Sequence, residues 1–257
     1  MRVGLVTGAA RGIGAATVRR LVGEGYRIVA LDWCVGANPS TDYPMATPAD
    51  LDALIASLPA GTVIARIGDV RDPEVLADAV MSALQTWGRL DVVVAAAAVI
   101  SGGAPLWDDD SLDLQWEIDV RGVWNTAAAT IPAMLAGRDP SECRFVAVAS
   151  AAGSRGLFRL AAYTTVKHAV VGLVRGLAAD LAGTGVTAVA VSPGSTDTAM
   201  LRATADLYDA AAEELAAHQL LHRLLTPDEV AATIAFCCSP MGAALNGSVV
   251  SADGGFS

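Results

Sequence analysis

Short apolar runs recur along this chain, and most are followed by a stretch in which apolar positions return at helical spacing. Residues 2–7 (RVGLVT), Arg27–Leu31 (RIVAL), Val63–Ile67, the run VVVAAAAVI after Asp91, 144–149 and 186–191 (VTAVAV) read as strands. They are apolar on both faces rather than alternating, the pattern of a parallel sheet covered on each side by helices. AATVRRLVGEGY after Gly14, the stretch from Pro73 through Trp87, and residues 111–136 predict helices between them. Thr47-Pro48-Ala49-Asp50 reads as an N-cap with proline at the first helical position, and Asp72 as the cap before Pro73. Six or seven such alternations predict an α/β fold with a doubly wound sheet.

The turn after the first run is Gly8-Ala-Ala-Arg11-Gly12-Ile13-Gly14. Glycines let backbone approach a pyrophosphate, and the following helix N-terminus offers free N–H groups and partial positive charge. Strand, turn and helix together therefore predict a phosphate cradle. The second run ends at Asp32, whose carboxylate can accept from both ribose hydroxyls of an adenosine and would repel a 2′-phosphate. That favours NAD over NADP, with Arg11 as the counter-signal because a guanidinium there can meet a phosphate. Asp69, after the third run, is placed to accept from an adenine amino group. Residues 33–50, beginning at Trp33, form a Pro-, Gly- and Ser/Thr-rich connection longer than the usual two to six residues. Such a connection either covers the nucleotide or is a surface insertion.

The stretch ASAAGSRGLFRLAAYTTVK puts Ser150 at the end of a run, with Tyr163 and Lys167 four residues apart. On a helix those two share a face. A positive charge ~4 Å from a phenol favours the phenolate by roughly 4 kcal/mol at an effective dielectric of ~20. The expectation is a Tyr163 lowered into service as a general acid and base. Ser150 would hold the reacting oxygen.

Composition narrows the classes. The 257 residues are 53% hydrophobic and 17% charged, which suits one compact α/β domain and argues against disorder. A net charge of −10 argues against nucleic acid or anionic membrane as partner. No apolar stretch reaches transmembrane length. Cys34, Cys143, Cys237 and Cys238 match no zinc or disulfide spacing, and three histidines are too few for metal chemistry. Reduced thiols and a cytoplasmic location follow as expectations.

These motifs together resemble the classical short-chain dehydrogenase/reductase family over essentially the full length. The TGxxxGxG loop is Thr7–Gly14, the Ser-Tyr-Lys set is Ser150, Tyr163 and Lys167, the PGxxxT segment is Pro193, Gly194 and Thr198, and the end is similar at Asp253-Gly254-Gly255. The resemblance implies a single Rossmann domain over 1–257 with about seven strands, and NAD across their carboxyl ends. It places pyrophosphate at Gly8, Arg11, Gly12, Ile13 and Gly14, and adenosine among Asp32, Trp33, Asp69 and Val70. It also implies that Lys167 holds the nicotinamide ribose while Tyr163 moves the alcohol proton, and that Thr196, Thr198 and the 191–196 backbone meet the carboxamide. The partner implied is a small alcohol or ketone, the assembly a homotetramer, and the substrate lid residues 199–225.

Two positions depart from the family pattern. The usual NNAG reads Ala95 to Ala98, with Ala96 and Ala97 at the cofactor, and the fourth catalytic position is Asp119 rather than asparagine. Asp119 is expected to accept a water-mediated bond from Lys167. These departures leave open an idle NAD-binding sensor or scaffold as the alternative to an enzyme. Asp42 to Leu51 is similar to a segment of the mycofactocin-associated members, which implies tightly held NAD served by an external redox acceptor. Met200, Leu201, Leu207 and Tyr208, facing Gly153, Ser154, Leu157 and Phe158, are expected to wall a pocket for a hydrophobic or alicyclic secondary alcohol.

Overall fold

Every strand predicted from the apolar runs pairs in one parallel sheet. The computed structural model describes residues 1–256, whose sheet has seven strands in the order β3-β2-β1-β4-β5-β6-β7. These are β1 (Val3–Thr7), β2 (Arg27–Asp32), β3 (Val63–Ile67), β4 (Val92–Ala95), β5 (Arg144–Val148), β6 (Thr187–Pro193) and β7 (Val249–Ala252). The order runs outward in both directions from β1 and β4, which puts a topological switch point between them. In open α/β sheets ligands bind there, beyond the carboxyl ends of the strands.

Helices cover both faces. On one, α3 (Pro73–Trp87), α5 (Gly122–Leu135) and α6 (Ala161–Asp180) bury Leu76, Val123, Ile131, Val170 and Val174 against Phe145 and Leu5. On the other, α1 (Gly12–Gly23), α2 (Pro48–Ala56) and α8 (Pro227–Cys238) bury Val18, Leu21, Leu54, Val230 and Ile234 against Val6, Ile28 and Val94. Each such side chain contributes roughly 1.5–3 kcal/mol when fully removed from water. Thr47 caps α2 in a box with Asp50, and Asp72 caps α3 through the Glu74 amide.

The apolar run after Asp91 was expected to be strand throughout. It stops pairing at Ala95, opposite Thr7 and Ala147. The Thr7 hydroxyl then accepts from the Ala96 and Ala97 amides at 3.1 and 3.3 Å, which turns the backbone out of the sheet. The expected helix 111–136 is α4 (Leu112–Gln115), a π-helical segment Trp116–Arg121 and α5. The expected lid is α-helical only in α7 (Ala199–Leu207). Asp209 takes a left-handed φ of 49°, and a 3-10 segment, Ala212–His218, follows. The four cysteines are buried and free. No helix among the described residues is long and apolar enough to cross a membrane.

Candidate active site

A cavity of about 930 Å³ opens at the switch point. Of the residues singled out in the sequence for catalysis or cofactor contact, all but Asp119 line it. The end expected to take the nucleotide is shaped by backbone. Gly8 has φ 65°, and a Cβ there would lie 2.8 Å from the Ala96 carbonyl oxygen and the Ala97 backbone. Gly14 packs against the Gly8 carbonyl with no room for a side chain. Arg11, the N-cap of α1, makes no side-chain cap, so the first-turn amides remain available to an anion.

Asp32 is held by two amides. Ala10 donates to Oδ2 at 2.9 Å and Cys34 to Oδ1 at 3.0 Å. Arg11 is turned toward the insertion: Nη1 donates to the Pro44 carbonyl at 2.8 Å, and the guanidinium lies 5.6 Å from the Tyr43 ring centroid. The counter-signal for NADP is thus engaged elsewhere. Asp69 meets Arg71 at 2.6 Å, and Arg71 stands 4.8 Å over the Trp33 ring. Arg71 thus shares the carboxylate that was expected to accept from an adenine amino group. Asn125 Nδ2 donates to the Val70 and Arg71 carbonyls at 3.2 Å each and so fixes this corner. The sequence signal was an asparagine inside a helix, a residue type that prefers a backbone partner.

The end expected to be reactive is deeply buried. Tyr163 and Lys167 are buried on α6, and Asp119 in the π-helical segment has no exposure at all. Lys167 Nζ lies 3.0 Å from Asp119 Oδ2 and 5.4 Å from the Tyr163 ring centroid. Asp119 Oδ1 accepts from the Val99 amide at 2.9 Å, and Oδ2 makes no further hydrogen bond. The expected water-mediated link is instead a direct ion pair. A carboxylate, unlike an amide, attracts the ammonium strongly enough in a water-poor interior to close the gap. Burial pushes the Asp119 carboxyl up and works against the Lys167 ammonium, yet the contact with Asp119 leaves Lys167 above its ordinary range.

Burial, more than this pairing, sets the Tyr163 phenol against the expected lowering. Burial raises Tyr163 first; Lys167 lowers it, Asp119 raises it and a hydrogen bond with Ser150 lowers it, and the net direction is up. Helical spacing puts Lys167 beside Tyr163 but does not show the compensating charge of Asp119 behind it. Ser150 Oγ accepts from the Ala152 amide at 3.1 Å, and Tyr163 Oη lies 3.9 Å from Met200 Sδ.

The substrate side is mostly apolar. Met200, Leu201 and Tyr208 line it together with Leu157 and Phe158. Leu207, Gly153 and Ser154, expected there, do not; Leu207 packs behind the wall and Gly153 is buried against the Lys167 carbonyl. Tyr208 Oη donates to the Phe158 carbonyl at 2.6 Å, joining the lid to the opposite wall. Of three arginines near this side, Arg155 reaches the cavity, while Arg159 stacks on Phe158 and Arg202 pairs with Asp197. Tyr43 also lines the cavity, which the sequence did not reveal; burial raises its phenol, Arg11 pulls it down, and Asp119 and Tyr163 raise it, with the net direction up. Among the described residues no cluster of His, Cys, Asp and Glu is arranged to hold a metal.

A family model described as enoyl-(acyl carrier protein) reductase matches residues 8–257. A Mycobacterium tuberculosis protein named an uncharacterized NAD-dependent oxidoreductase is 35% identical over 267 residues, covering 99% of this chain and 95% of its own. The (−)-trans-carveol dehydrogenase of Rhodococcus erythropolis is 35% identical over 210 residues, covering 78% of this chain and 73% of its own. The crystal structure of carveol dehydrogenase from Mycobacterium avium in complex with NAD superposes with a TM-score of 0.90 at 28% identity, over 99% of this chain and 96% of that one.

Proposed function

This chain belongs to the classical short-chain dehydrogenase/reductase family, and we propose that it interconverts a hydrophobic, alicyclic secondary alcohol and its ketone with NAD. It is an NAD-dependent oxidoreductase of that family acting on CH–OH. The observation that carries the finer reading is the meeting of Ser150, Tyr163 and Lys167 with a mostly apolar wall in one cavity whose other end is built for a dinucleotide. The residues fit NAD: glycines at the pyrophosphate, an anchored Asp32 at the ribose, and no guanidinium free at Arg11 for a 2′-phosphate. When bound, NAD supplies the hydride acceptor, or in its reduced form the donor.

The residues divide the remaining work. Gly8, Gly12, Ile13 and Gly14 take the pyrophosphate, and Asp32, Trp33, Asp69 and Val70 the adenosine. Lys167 holds the nicotinamide ribose, while Pro193, Gly194, Thr196 and Thr198 meet the carboxamide. Ser150 donates to the substrate oxygen, and Tyr163 removes or returns that oxygen's proton. The wall of Leu157, Phe158, Met200, Leu201 and Tyr208 excludes water and favours an apolar ring. The carveol dehydrogenase relatives, named for an alcohol of that class, support the choice.

The insertion supports retention of NAD served by an external acceptor. Arg11 to Pro44, Tyr43 in the cavity, and Asp42 to Ser101 tie it across the cleft. The proposed assembly is a homotetramer, for which exposed Trp107, Trp124 and Leu106 offer apolar contact surface, and the proposed location is cytoplasmic. Mass spectrometry of denatured protein purified without added nucleotide tests retention, and light scattering tests assembly. An alcohol and ketone panel with an artificial electron acceptor tests the activity. Turnover restricted to small charged hydroxy acids would refute the alicyclic reading.

A further inference from the structure

Asp119 changes the charge that the reactive end presents to a nicotinamide. An amide at this position would leave the buried Lys167 ammonium uncompensated, and the group Asp119–Lys167–Tyr163 would carry one positive charge. With the carboxylate 3.0 Å from Nζ, the group is neutral. The groups that face it are Tyr43 from the insertion, Tyr163 and Lys167 from α6, and the Val99 amide, with Arg11 beyond Tyr43. Both partners are 3% exposed or less, so water screens their fields weakly.

The oxidised nicotinamide ring is a cation and the reduced ring is neutral. A buried positive charge nearby therefore disfavours the oxidised ring selectively, and a carboxylate that cancels it removes the penalty. We propose that Asp119 is a positioning residue that poises the bound nicotinamide toward its oxidised form. This role favours an enzyme that rests ready to oxidise an alcohol. The inference rests on the proposed binding of NAD beside Tyr163 and Lys167, and it concerns a difference between two redox states rather than affinity itself.

The test is the reduction potential of the bound nicotinamide, titrated at 340 nm with mediators in the holoprotein as purified or after loading with NAD. This measurement works whether or not the cofactor exchanges. Asp119→Asn keeps an acceptor for the Val99 amide and removes the charge. The expected result is at least a tenfold shift of the bound ratio toward the reduced form, about 30 mV upward for a two-electron couple. Asp119→Ser, which leaves room for water at Lys167, should move the potential in the same direction and serves if the amide variant folds poorly. A merely structural role would lower melting temperature or affinity for both forms and leave the potential in place. An unchanged potential in a variant that still holds nucleotide overturns the proposal. Failure of the wild-type protein to hold either form overturns the NAD reading, and this inference with it.

Discussion

Two aspartate–cation pairs border the same cleft, Asp69–Arg71 beside the edge strand β3 and Asp119–Lys167 beside β4 and β5. The first is the shorter, 2.6 Å against 3.0 Å, but its side chains are 22% and 33% exposed while those of the second are 0% and 3%. Water competes for both partners of the first pair, and exposed pairs are worth ~0–1 kcal/mol. Its role is mechanical: it holds the Arg71 guanidinium over Trp33 and shares the Asp69 carboxylate. The second pair cannot return its charges to water. Its value lies in what would happen without it, because a charge left alone there costs several kcal/mol. Solvent access, not distance, decides which pair governs chemistry.

The largest effect should come from the buried end. Tyr163→Phe removes the proposed proton carrier while filling the same space, and turnover should fall by ~10²–10⁴-fold with bound NAD retained. Loss of NAD together with activity would make Tyr163 a packing residue rather than a proton carrier. Stability separates the pairs next. Asp119→Ala should cost roughly 3–5 kcal/mol in urea unfolding because Lys167 is left buried and unpaired. Asp69→Ala should cost less than ~1 kcal/mol. Equal losses would mean that burial does not set the two pairs apart.

A third effect appears in pH dependence. Burial and Asp119 raise the Tyr163 phenol, while Lys167 and Ser150 lower it. Asp119→Asn should therefore move the rise of kcat/KM for alcohol oxidation to lower pH. The stability sign follows the same group. A phenol raised in the folded state favours folding below its unfolded pKa, and that contribution is lost as pH rises through the folded value. In Asp119→Asn the loss should start at the same pH, set by the unfolded chain, and be complete at lower pH. A pH profile identical to wild type would mean that Asp119 does not reach Tyr163 electrically.

Much of this was legible in the chain because it is local. The strands, the caps at Thr47 and Asp72, the glycine turn, and the shared helical face of Tyr163 and Lys167 all follow from spacings of a few residues. What escaped depends on distant neighbours. The run after Asp91 looks like strand to Ile100, but pairing ends at Ala95, opposite Thr7 at the end of β1 and Ala147 in β5. Asp119 and Lys167 are far apart in sequence, so their 3.0 Å contact and its effect on Tyr163 required the fold. Tyr43 lies in a stretch without periodicity, which gave no sign that it points into the cavity.

The smallest effect sharpens the wet side of the comparison. Arg71→Gln removes the guanidinium over Trp33 and frees Asp69, but both partners already exchange with water. Its cost to stability should stay below ~1 kcal/mol at low salt. Near 1 M salt the Debye length is only ~3 Å, so most of that difference from wild type should vanish. The Asp119→Ala deficit should persist under the same conditions, since ions do not reach a pair with this little exposure. Urea unfolding of the two variants and wild type at low and high salt measures both responses. If the Arg71→Gln deficit proved salt-independent, packing against Trp33 rather than charge would be what the wet pair supplies.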